Sequence, residues 1–171
     1  MLTAALTLKL LRSILVDYNY WPSDGDSPLS ISRHKRKLTE ETILSRDAAA
    51  RRASEKDSNN SVLYKPPKRR IEVKTLDETF KPLVIDALAV VQSIAQEIED
   101  GLGELELLQL PIEKSEFFIQ LYSAFNQSTN PKVYYVFDVD GVVPNPYIGL
   151  YITGESSDGV VIAQTLIQND T

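Results

Sequence analysis

The sequence predicts an α+β domain in which helices pack on an antiparallel sheet. Two observations carry this. Apolar residues recur near the 3.6-residue period over residues 77–100 and again over 113–126. Three β-rich runs then follow, Val133 to Val139, Tyr147 to Thr153 and Val160 to Ile167, separated by the turn signals Asp140-Gly141 and Ser157-Asp158-Gly159. Runs this close in sequence and joined by short turns read as an antiparallel β-meander packed on the helices.

Each element has a local reason. Residues 2–18 read as a helix with Leu2, Ala5, Leu6, Leu10, Ile14 and Leu15 near one face. The stretch Trp21-Pro22-Ser23-Asp24-Gly25-Asp26-Ser27-Pro28 ends it with turn chemistry. Leu29 and Ile31 alternate with Ser30 and Ser32, which predicts a short strand. Thr39-Glu40-Glu41-Thr42 opens a helix running to about Ser54, with an Ala48-Ala49-Ala50 centre that has little apolar surface to bury. Residues 55–70, with Asn59-Asn60 and Pro66-Pro67, read as a mobile linker. Ile71-Glu72-Val73 reads as a short strand. The helix over 77–100 carries Leu83, Ala87, Val90, Val91, Ile94 and Ile98 as its stripe, and Gly101 and Gly103 stop it. Leu105 to Leu110 reads as a strand, and Glu113 to Asn126 as a helix turning Phe117, Phe118, Leu121, Tyr122 and Phe125 inward.

Composition narrows the chemistry. The 171 residues are enough for one domain with its own core, 1–171, interrupted by a basic, flexible insertion at about 33–70. Cysteine is absent, which removes disulfides, thiolate metal sites and thiol nucleophiles. The single histidine, His34, excludes His-rich zinc sites and most His-based acid–base catalysis. No apolar run approaches the ~18 residues of a membrane span, and residues 2–16 lack the pattern of a signal peptide. A soluble cytoplasmic protein without a cofactor is the expectation.

The net charge of −6 hides an asymmetry. Residues 33–70 hold 12 basic and 5 acidic side chains; residues 71–171 hold 4 basic and 16 acidic. The basic runs Arg33-His34-Lys35-Arg36-Lys37 and Lys65-Pro66-Pro67-Lys68-Arg69-Arg70 read as phosphate contacts, as a nuclear-localisation signal if the source is a eukaryote, or as a solvated insertion. An adaptor or nucleic-acid-associated protein would use Arg33, Lys35, Arg36, Lys37, Lys68, Arg69 and Arg70. The acidic final hundred residues suit a basic protein surface instead. Within them, Glu97, Glu99, Asp100, Glu104 and Glu106 read as a solvated acidic surface rather than a divalent-cation site.

Val136-Phe137-Asp138-Val139-Asp140-Gly141-Val142 is similar to the first motif of the haloacid dehalogenase phosphatases. Only 31 residues follow Asp140, with no lysine and no paired carboxylates among them, so a strand ending in a turn is the better reading. Trp21, preceded by Tyr18 and Tyr20, reads as an aromatic group closing the first helix onto the core.

A family resemblance enters at the two ends. Asn130-Pro131-Lys132-Val133-Tyr134 and Gly149-Leu150-Tyr151-Ile152-Thr153-Gly154-Glu155-Ser156 resemble the nuclease A inhibitor family, as does the tail from Ser157 to Thr171. Leu10 to Leu15 and Ser23-Asp24-Gly25-Asp26-Ser27-Pro28-Leu29 resemble that family's first helix and Ser-Glu-Ser-Glu-x-Pro turn. Together the matches cover about 60 of the residues, and 33–115 align poorly. The resemblance implies a nuclease A inhibitor-like fold, a three-layer α/β/α sandwich with a C-terminal antiparallel β-meander. It implies a non-enzymatic inhibitor of a magnesium-dependent, sugar-non-specific endonuclease, which it plugs with an acidic surface. Thr171 would reach the partner's magnesium with Asp170 beside it, and Asp24, with Asp26 in the same turn, would pair with a catalytic arginine.

Overall fold

A computed structural model of the protein describes residues 2–23, 27–57, 63–139 and 147–168. The elements, in chain order, are α1 (Ala4–Asp17), β1 (Ser30–His34), α2 (Glu40–Asp57), β2 (Arg69–Lys74), α3 (Leu76–Glu99), a 3₁₀ turn (Leu105–Leu108), α4 (Gln109–Asn126), β3 (Thr129–Asp138), β4 (Tyr147–Ser156) and β5 (Gly159–Gln168). The strands form one antiparallel sheet in the order β1-β5-β4-β3-β2. The meander β3-β4-β5 is its centre, as the turn signals predict. No described helix is long and apolar enough to cross a membrane.

Alternation along the central strands divides the core in two. Val133 and Tyr135 of β3, Leu150 and Ile152 of β4, and Val161 and Ala163 of β5 face a cluster built with α1, α3 and α4. Their neighbours Tyr134, Val136, Tyr151, Val160 and Ile162 face the other way, onto Ile43 and Leu44 of α2. Helices therefore cover both sheet faces, with α2 alone opposite the other three. Trp21 is buried on the three-helix side, edge-on to Phe80 and Phe118 at centroid distances of 5.5 and 5.9 Å.

Helix ends follow their capping chemistry. Thr75 and Glu78 form a reciprocal capping box at the start of α3. At its end, Gly101 has φ +76°, Leu102 N–H donates to Glu97 C=O at 2.8 Å and Gly101 N–H to Ile98 C=O at 3.0 Å. This is a Schellman close, which needs the left-handed residue that glycine supplies.

The structure departs from expectation in four places. Leu105–Leu110 is a 3₁₀ turn running into the first turn of α4, not a strand; Leu105, Leu107 and Leu110 are exposed and Leu108 half-buried, so their spacing marks no buried strand face. Accordingly α4 begins at Gln109 rather than Glu113, and Pro111 is accommodated in its first turn, where no helical hydrogen bond needs its missing N–H. In α1 the buried residues are Ala4, Thr7, Leu11 and Ile14 while Leu6 is exposed, because leucines on several sides leave the phase open. In α3, Val90 is exposed.

The fourth departure lies in the described parts of the segment 33–70, expected from composition to pack little; residues 58–62 of the expected linker lie outside the described residues. The segment contains α2, with Ile43, Asp47, Ala48 and Arg51 buried, together with buried Tyr64 and the first residues of β2. The short apolar surface of α2 is as predicted. Charged side chains paired inside the molecule, which composition cannot distinguish from solvated ones, hold it down.

Candidate functional site at one end of the sheet

Antiparallel pairing places the starts of β1, β2 and β4 and the ends of β3 and β5 at one end of the sheet. The registers show this: Ser30 is opposite Gln164, Tyr147 opposite Gln168, and Arg69 opposite Asp138. Asp24, Asp26, Asp170 and Thr171 lie outside the described residues. The residues flanking them are described. Trp21 N–H donates to Ser27 C=O at 2.9 Å, and the Ser23 and Ser27 hydroxyls are 2.8 Å apart, which closes the turn that carries Asp24 and Asp26 in sequence. Asn19 then clamps Leu29 twice, its amide donating to Leu29 C=O at 3.1 Å and its carbonyl accepting from Leu29 N–H at 2.8 Å. The chain enters β1 from this turn, beside the strand that leaves the sheet at Gln168.

The same end holds a buried ionic network that the sequence does not announce. Arg51 is fully buried and uses three nitrogens on three acceptors. Its Nε donates to Asp47 Oδ2 at 2.9 Å, its Nη1 to Asp138 Oδ2 at 3.3 Å and its Nη2 to Val136 C=O at 3.1 Å. The guanidinium carbon lies 5.7 Å from the Tyr64 ring centroid. The Tyr64 hydroxyl donates to Asp138 at 2.8 Å, and the Tyr151 hydroxyl to Asp47 Oδ1 at 3.1 Å. Arg69 Nη1 donates to Leu44 C=O at 2.7 Å and lies 3.7 Å from Asp47 Oδ2. Two carboxylates thus meet two guanidiniums, and the charges balance, the condition under which buried ions are tolerated.

Burial pushes the Asp47 carboxyl above its usual range, opposed by the charges of Arg51 and Arg69 and by hydrogen bonds from Arg51 and Tyr151. Burial, with the adjacent carboxylates, also pushes the Tyr64 and Tyr151 hydroxyls well above the ordinary tyrosine value. Both tyrosines therefore stay protonated and remain donors. The network ties α2 to the end of β3 and the first half of β4. Asp138, the first aspartate of the phosphatase-like motif, is committed to Arg51 and Tyr64 on this inner face; Asp140 lies outside the described residues.

Two sequence signals point at the network only in hindsight. Asp47 and Arg51 are four apart, the spacing of an ordinary surface helix pair. Gly149 interrupts a β-rich run, which marks close approach of another group.

The basic residues separate into different environments. Arg33 pairs with Asp158 at 3.2 Å, and Arg69 belongs to the buried network. Arg70 lies over the Phe137 ring at 4.3 Å and pairs with Glu72 at 3.3 Å. Lys35, Arg36, Lys37 and Lys68 are exposed. The two runs do not merge into one patch. The first follows the far end of edge strand β1 and the second enters the near end of the opposite edge strand β2. They are separated by roughly 20 Å across the sheet, at about 4.8 Å per strand, and by a comparable distance along it. Among the described residues, no group of three or more His, Cys, Asp or Glu side chains is placed to hold a metal ion.

A scan with protein-family models finds no match to the chain, and no curated protein matches its sequence.

Proposed function

We propose that the chain is a non-enzymatic protein inhibitor of a magnesium-dependent, sugar-non-specific nuclease, and that it enters the enzyme's cleft with the sheet end where β1 begins and β5 finishes. One observation carries this reading. The turn closed by Trp21 and Ser27 feeds β1, β1 pairs with β5, and their register sets Ser30 against Gln164 near the β5 exit. The resemblance requires the turn and the tail to act on one cleft, so their elements must share one end of the molecule, as these flanks do. The acidic balance of residues 71–171 adds the sign of charge that a phosphate-binding cleft attracts. The commitment of Asp138 to Arg51 and Tyr64 supports a non-catalytic role for the phosphatase-like motif.

The test is to recover the partner from native lysate with the tagged chain and titrate purified chain against the magnesium-dependent nuclease activity obtained. Stoichiometric inhibition is expected. Asp24→Ala is expected to weaken it by about 2–5 kcal/mol, the cost of stripping one partner from a desolvated charge pair. Removal of Asp170 and Thr171 is expected to weaken it independently while the fold persists. Full inhibition by both variants would show that this end is not the plug. Binding of the chain to DNA, with no nuclease recovered, would favour the adaptor reading built on the basic runs.

A further inference from the structure

We infer that the tip of the α3–α4 hairpin is a second interaction surface, built to receive a basic amphipathic helix of a partner protein. α3 follows β2, which finishes level with the middle of β3, and α4 precedes β3, so the connection between the helices stands at the end of an α3 about 36 Å long, away from where either joins the sheet. There Leu102, Leu105, Leu107 and Leu110 are 81, 73, 53 and 61% exposed. Leu102 follows the glycine of the Schellman close, where a hydrophobic residue ordinarily folds back onto the residue five before it. Here that residue is Glu97, and the leucine projects to solvent instead. Four exposed leucines within nine residues of sequence are more than singly scattered surface apolar residues require.

Charge selects the occupant. Five carboxylates lie between Glu97 and Glu106, and no lysine or arginine occurs between Lys81 and Lys114. An anionic lipid surface is repelled by these carboxylates. A helix with leucines on one face and lysine or arginine along its borders matches both features within its ~10 Å width. The surface shares no residue with the sheet-end plug.

The probe is an 18-residue leucine–lysine amphipathic peptide, titrated into the full chain at low salt with hydrogen exchange followed by residue. The expected result is saturable binding with protection confined to about residues 97–112. Leu105→Ser with Leu110→Ser is expected to weaken it at least tenfold with unchanged circular dichroism. A scrambled peptide of identical composition is expected to bind at least tenfold more weakly. Equal binding of the scrambled peptide would reduce the effect to charge alone and overturn the inference. So would absence of binding, protection elsewhere, or sedimentation showing the tip already covered by a second copy of the chain. Nuclease inhibition measured on the same double variant is expected to be unchanged, which keeps this surface separable from the plug.

Discussion

Gly149 of β4 lies so close to Asp47 of α2 that a β-carbon on the glycine would stand 2.0 Å from the aspartate Oδ1. It would also lie 2.9 Å from the Tyr151 ring. The missing side chain is what lets the carboxylate reach Arg51 and the Tyr151 hydroxyl at once. Gly149→Ala is therefore expected to destabilise the fold by about 1–3 kcal/mol or more, the range of overpacking. Urea unfolding measures it. In an Asp47→Ala background the same substitution should cost less, because the atom it strikes is gone. Equal costs in both backgrounds would place the clash elsewhere.

Arg51 is expected to be the most sensitive single charge. Arg51→Ala leaves Asp47 buried and strips Asp138 of its cation, and breaking a buried pair costs about 3–5 kcal/mol. Arg51→Lys should not restore the loss, since one ammonium cannot serve three acceptors set around a planar fork. Thermal unfolding of the two variants gives the answer; full rescue by lysine would mean that charge alone matters.

Asp158, in the turn between β4 and β5, accepts from the Ala4 N–H at 2.7 Å and caps the start of α1 from across the chain. That hydrogen bond, with the Arg33 charge among the lesser causes, holds the carboxyl below its ordinary value of 3.8. A carboxyl lowered by folding contributes stability above its unfolded pKa and loses it as pH falls through the folded one. Asp158→Ala should therefore unfold earlier than the parent chain at pH 6, and the gap should close as the pH falls well below 3.8. Burial shifts Asp47 in the opposite sense, but both proteins carry it, so it cancels in the comparison. A gap independent of pH would assign the effect to packing.

Trp21 is expected to be structural. It is 5% exposed and packs edge-on against Phe80 and Phe118, so Trp21→Ala should cost about 3–5 kcal/mol. Its fluorescence should respond little to iodide in the folded chain. Ready quenching, with a small stability loss, would make it a surface contact.

Much of the architecture was legible before folding. Val133 to Val139, Tyr147 to Thr153 and Val160 to Ile167 show β-rich composition and turn breaks that need no partner to be recognised. Gly101 announces the end of α3 because only a left-handed residue closes it so. The phase of α1 was not legible, since an apolar side chain occurs on several of its faces and the choice of Leu11 over Leu6 depends on where α4 and β5 lie.

By itself the sequence determined the strands of the meander, the long α3 helix, the absence of thiol chemistry and the division into a basic middle and an acidic remainder. Those properties are local or additive, and each residue contributes to them regardless of its neighbours in space. Tertiary structure alone decided that α2 packs by itself on one face, that Arg51 is a buried tie rather than a surface charge, and that the two basic runs stand at opposite corners of the sheet. Each depends on which strands are adjacent and in what register. In a sheet ordered β1-β5-β4-β3-β2, residues as far apart as Arg51 and Asp138 become neighbours while Arg33 and Arg69, closer in sequence, are held apart. Pairing energy between strands and the burial of their two faces set that order, and neither is a property of any one segment.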